Sequence, residues 1–68
     1  MTIAIVLNGK EHTVRAGTRV ADLCEELGLV PEQVAIELNE RVVRRDVRGS
    51  TVLAEGDVVE IVTLVGGG

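Results

Sequence analysis

Only one stretch of this 68-residue chain repeats with the period of a helix. Val20, Leu23, Cys24 and Leu27 fall at i, i+3, i+4 and i+7, which places them on one helical face. Thr18 is positioned to cap that helix, because its hydroxyl can accept from a free N–H of the first turn. Gly28 follows as the residue that ends it. Asp22, Glu25 and Glu26 lie off the stripe and are expected in solvent. Elsewhere the apolar residues alternate. Ile3, Ile5 and Leu7 interleave with Thr2, Ala4 and Val6, and Val34, Ile36 and Leu38 interleave with Ala35 and Glu37. Asn8-Gly9 predicts a tight hairpin, since a type I′ turn needs positive φ at both central residues. Lys10 to Arg15 is the returning strand, Asn39-Glu40 a second turn, Arg41 to Val43 a short strand and Val58 to Leu64 the closing one. Val30 to Gln33 has the pattern of a single turn, with Pro31 at a permitted first position, and polar Arg44 to Ser50 is a loop. The order is ββαβββ. One helix can cover one face of one sheet, which makes the fold α+β.

That arithmetic leaves a face uncovered. If Ile3, Ile5, Val34, Ile36, Val59 and Ile61 meet the helix, the opposite face carries Ala4, Val6, Ala35, Val62 and Leu64. Isolated surface aliphatics are ordinary, but a contiguous apolar patch on a small domain marks a partner site. Val62 and Leu64 adjoin the end of the chain, which makes the patch a docking face. There the closing strand runs into Val65-Gly66-Gly67-Gly68. Glycine has no Cβ and high backbone entropy, so residues 65–68 are expected to form a flexible arm on a folded domain of residues 1–64. Extended, four residues reach about 13 Å, at about 3.3 Å each. The expectation is that Gly68 presents a terminal carboxylate, and that Gly66 and Gly67 let it enter a channel too narrow for side chains.

Composition narrows the classes. A single domain of this size buries only about 60% of its unfolded surface, and with no aromatic residue its core must be Leu, Ile and Val. One cysteine cannot form an internal disulfide. The start lacks a basic segment and cleavage site, no apolar run approaches the about 20 residues of a membrane span, and the expected setting is the cytoplasm. A net charge of −4 argues against nucleic acid as partner. No nucleophile–base pair or metal-ligand spacing appears. His12 is a lone histidine on a strand, and Cys24 on the apolar stripe behaves as a small hydrophobe. Arg41, Arg44, Arg45 and Arg48 form a local basic cluster, taken as a solvated loop in preference to an electrostatic contact with an acidic partner.

These residues together resemble a known family. Gly56-Asp57-Val58-Val59-Glu60-Ile61-Val62 leading to Val65-Gly66-Gly67-Gly68 is similar to the ThiS family, the sulfur carriers of thiamin biosynthesis. Gly17 to Leu23, Ala35 to Asn39, Val42 to Arg45 and Asn8-Gly9-Lys10 resemble its helix start, middle strands and first turn; Arg44 stands where the family commonly has proline. The resemblance implies a ubiquitin-like β-grasp fold, with one mixed sheet, its first and last strands parallel neighbours, and one main helix on one face. It also implies that this chain is no enzyme. Its Gly68 carboxylate would be adenylated by a ubiquitin-activating-like adenylyltransferase of the ThiF type, which uses ATP and magnesium. It would then be converted to a thiocarboxylate with sulfur from a cysteine desulfurase, and the sulfur passed to thiazole synthase of the ThiG type. The carrier itself would hold no cofactor or metal, and it would contact neither nucleic acid nor membrane. Docking would fall to Val6, Val62, Leu64 and Val65. The alternatives are a carrier for molybdopterin synthesis or tRNA thiolation, a ligand-binding β-grasp module without catalysis, and ubiquitin-style conjugation.

Overall fold

A computed structural model describes residues 1–64; the expected tail, 65–68, lies outside the described residues. Five strands form one sheet: β1 (Thr2–Leu7), β2 (Lys10–Arg15), β3 (Val34–Leu38), β4 (Arg41–Val42) and β5 (Val58–Thr63). The spatial order is β2-β1-β5-β3-β4. β1 pairs antiparallel with β2 and parallel with β5, and β5 pairs antiparallel with β3. A parallel pair cannot be joined by a tight turn. The connection between them contains β2, the one α-helix among the described residues, α1 (Val20–Glu26), β3, β4 and two 3-10 segments, Pro31–Gln33 and Arg45–Ser50. This is the mixed-sheet, one-helix β-grasp architecture that the sequence resemblance implies.

Both hairpin turns have their expected chemistry. Asn8 and Gly9 have φ of 49° and 83°, and Asn39 and Glu40 have φ of 52° and 70°, so each turn carries the paired positive φ that suits the strand twist. The core lies between α1 and one sheet face and holds Ile5, Val14, Val20, Leu23, Cys24, Val34, Ile36 and Val59. Val43 and Leu53 complete it from segments between the regular elements.

Three local expectations are corrected. Thr18 is not the N-cap. Arg19 occupies that position, and the Asp22 carboxylate accepts from the Arg19 N–H at 2.9 Å. The backbone of Thr18 is engaged instead by Leu53, whose N–H donates to the Thr18 carbonyl. Leu27 leaves the buried stripe. The Leu29 N–H bonds the Cys24 carbonyl and the Gly28 N–H bonds that of Glu25, the Schellman arrangement, with Gly28 at φ 71°. The chain turns there, so Leu29 packs on the core and Leu27 is exposed. Finally, Arg44 to Ser50 is not simply a solvated loop, because it contains the 3-10 segment and buries Arg48.

Candidate functional site

β5 is the central strand, held on both sides, and it leads to the last described residue. Its alternation presents Val59 and Ile61 to the helix side. Val58, Glu60 and Val62 take the other face. Registry places Val6 of β1 opposite Val58, Ala35 of β3 opposite Val62 and Glu37 opposite Glu60. Registry therefore brings Val6 and Val62, two of the residues expected to dock, onto the helix-free face. Val62 is 57% exposed, Leu64 52% and Val58 40%, while Val6 is half-buried among them. Val42, opposite Glu37 on β4, adds a further apolar side chain at 71% exposure. The remaining predicted site residues, Val65, Gly66, Gly67 and Gly68, lie outside the described residues.

Two asparagines brace β5, a role not visible in their turn motifs. The Asn8 side chain accepts from the Ile61 N–H at 2.8 Å and donates to the Ile61 carbonyl at 3.2 Å, so it extends the ladder beyond the end of β1. On the other flank, the Asn39 side chain accepts from the Val58 N–H at 2.9 Å and donates to Asp57 at 3.1 Å. A carboxamide carries a donor and an acceptor in the spacing of a peptide group, and asparagine tolerates the left-handed conformation of both turns. The sequence signal was the choice of Asn at two turns that Asp would also fit. Asn39→Ala removes two such bonds, each worth about 0.5–1.5 kcal/mol. Urea denaturation should read a loss of about 1–3 kcal/mol.

The rest of the strand is continuous with its support. The Leu64 N–H donates to the Gln33 carbonyl at 2.7 Å, so β5 stays attached to the Pro31–Gln33 turn up to the last described residue. Arg48 is 6% exposed and holds that corner. Its guanidinium donates to the carbonyls of Pro31 at 2.9 Å, Val34 at 3.0 Å and Val43 at 3.4 Å.

On the helix side, Arg48 and Cys24 line a cavity of about 280 Å³ with Ala21, Pro31 and Gly49. Burial pushes the Cys24 thiol above its ordinary value of 9.0, and the nearby Arg48 charge partly opposes the shift. A raised acid pKa means that the folded state holds its proton where the unfolded chain has begun to lose it. The stabilising contribution is therefore full below pH 9 and is lost as pH rises above it. Stability should fall more steeply with pH above 9 in the wild type than in Cys24→Ala, as compared by denaturation at successive pH values. Native Cys24 should also resist alkylation at pH 7, since the thiolate is the reactive species. His12 packs beside Ile5 with its Nε2 buried and without a partner among the described residues. Among the described residues, no helix is long and apolar enough to cross a membrane.

The arrangement offers a rigid central strand, an open face partly apolar and partly acidic, and no assembled catalytic group among the described residues. The model of the ThiS family matches residues 3–68. A thiazole synthase of Magnetococcus marinus is 47% identical over 64 residues, which is 94% of this chain and 20% of that protein. A thiazole synthase of Paramagnetospirillum magneticum is 36% identical, with the same coverage. The chain thus spans about a fifth of the length of these curated relatives. A crystal structure of the thiamine biosynthesis protein ThiS from Geobacter metallireducens superposes with a TM-score of 0.83 at 33% identity, covering 97% of this chain and all of that one.

Proposed function

Because this chain belongs to the ThiS family, we propose that it is a sulfur carrier of thiamin biosynthesis, working in the cytoplasm as a co-substrate of partner enzymes. Gly68 supplies the reacting carboxylate. A carboxylate resists nucleophiles because of its charge and poor leaving groups. Transfer of AMP from ATP, with release of pyrophosphate, removes both obstacles. A ThiF-type adenylyltransferase with bound magnesium performs that step. Attack by ionised sulfur at the Gly68 carbonyl then expels AMP. If the sulfur arrives as a protein persulfide formed by a cysteine desulfurase, a thiol must reduce the resulting acyl disulfide to free the thiocarboxylate. The thiocarboxylate gives its sulfur to the thiazole ring on thiazole synthase.

The carrier's own contribution is presentation. β5, held by β1, β3, Asn8 and Asn39, is the rigid base from which residues 65–68 reach the partner's site. Val6, Val62, Leu64 and Val65 dock against partners, and Gly66 and Gly67 omit the side chains that would block entry. The observation that carries this reading is the family match that runs through residue 68, on a chain whose central strand adjoins an open apolar face. Incubation with the adenylyltransferase, MgATP and a sulfur donor should raise the intact mass by the replacement of one oxygen with sulfur. An unchanged mass under conditions where AMP is released would refute it.

A further inference from the structure

The open sheet face contains an arrangement that docking by apolar contact alone does not explain. Glu37 and Glu60 stand directly opposite each other on β3 and β5. Directly opposed side chains have Cβ atoms about 4.5–5.5 Å apart, and like charges so placed destabilise a sheet. Both residues are exposed, and neither forms an ion pair among the described residues. Among the strand residues, registry puts one cation on this face: Arg15, opposite Thr2. Thr2 lies four residues before Val6, and Glu60 two after its partner Val58, so the offset along the strands is six residues, about 20 Å at about 3.3 Å each. Arg15 cannot span that gap, and Arg44, just beyond β4, is paired with Asp46 at 3.7 Å. Around the two carboxylates stand Val58, Val62, Ala35 and Val42, all exposed. Two unneutralised acids thus sit within an apolar surface, one of them, Glu60, on the strand that leads toward Gly68.

We propose that Glu37 and Glu60 together receive one arginine of thiazole synthase, set within an apolar patch of that enzyme, and so determine which partner the face accepts. This rests on the carrier reading above. Thiazole synthase is the favoured occupant because its relatives in two organisms contain this same domain within one longer chain. A guanidinium presents a planar fork of donors that two adjacent carboxylates can share, and arginine is common at the energetic centre of interfaces. The surrounding valines exclude water and strengthen the contact. A partner with an acidic or neutral centre would leave the two charges desolvated and unpaired, which supplies discrimination.

The test is the affinity of the full carrier for its own thiazole synthase, measured by calorimetry at two salt concentrations, for wild type and for E37Q/E60Q. The double variant should bind at least tenfold more weakly and show a flatter salt dependence. Its own melting temperature should rise, because the repulsion is gone; a merely structural pair would not move binding and stability in opposite directions. Equal affinity and salt dependence in the two forms would overturn the proposal, as would a wild type that does not bind the synthase. If that occurs while Gly68 still acquires sulfur, the carrier reading stands. If the wild type gains no sulfur but binding remains charge-dependent, the carrier reading falls and the docking inference survives.

Discussion

Removal of Gly68 is expected to abolish sulfur loading while leaving the melting temperature of the domain within error of wild type. The two readouts separate because they depend on different parts of the chain. The described hydrophobic core extends from Ile5 to Val59, and β5 closes at Thr63. Chemistry, under the proposed function, depends on where one carboxylate sits. Deletion leaves a carboxylate on Gly67, chemically equivalent but drawn back by one residue, about 3.5 Å. A displacement of about 1 Å already costs about a hundredfold when reacting atoms must be held in line. A shift several times larger should leave no detectable thiocarboxylate by intact mass. Gly67→Val tests the complementary requirement. It keeps the reach and adds a branched side chain, and it should also block loading. A truncated carrier that took up sulfur at the wild-type rate would remove Gly68 from the mechanism.

The sequence discloses the sheet because alternation and turn chemistry are local properties. Asn8-Gly9 predicts its own hairpin, and the apolar residues on both parities of β5 already imply that one helix cannot cover both faces. Registry then gathers Val6, Val58, Val62 and Ala35, as the open-face argument requires. What escaped was set by long-range contacts. Thr18 is a good cap in isolation, but its carbonyl is taken by Leu53, thirty-five residues later, and Arg19 becomes the N-cap with its N–H bonded by Asp22. Leu27 fits the helical stripe, yet the left-handed Gly28 turns the chain and gives the packing position to Leu29. The opposition of Glu37 and Glu60 could be found only once the register of β3 on β5 was known. Arg48 is the strongest case, since nothing in a run of charged residues marks one of them for burial.

Arg48→Met should destabilise the domain by about 2–4 kcal/mol, the largest effect expected of any surface-type residue here. Three carbonyls, of Pro31, Val34 and Val43, lose their donor. Leaving a buried acceptor unsatisfied costs about 1–3 kcal/mol. Two effects offset part of the sum. No carboxylate neutralises Arg48 among the described residues, so its removal relieves the desolvation of a buried charge, and guanidinium is the cation for which that relief is smallest. Pro31 also lines the adjoining cavity, so its partly buried carbonyl can turn to water when the guanidinium is gone. A domain of this size has a total stability of about 3–10 kcal/mol, at about 0.05–0.15 kcal/mol per residue. The variant should therefore melt about 8–32 °C lower, at about 4–8 °C per kcal/mol. Arg48→Lys keeps the charge but not the fork, and should fall between the two. The loss should also have a location. Arg48 holds Pro31 and Val34, the same corner whose Gln33 carbonyl accepts the Leu64 N–H. Loosening that corner weakens the attachment of β5 just before the residues that, under the proposed function, carry the reactive end. Amide exchange at Leu64 should accelerate in Arg48→Lys under conditions where the amides of β1 remain protected. If exchange rises equally across the sheet, Arg48 stabilises the whole domain without specifically bracing this corner. If neither stability nor exchange changes, its three hydrogen bonds contribute nothing to the fold.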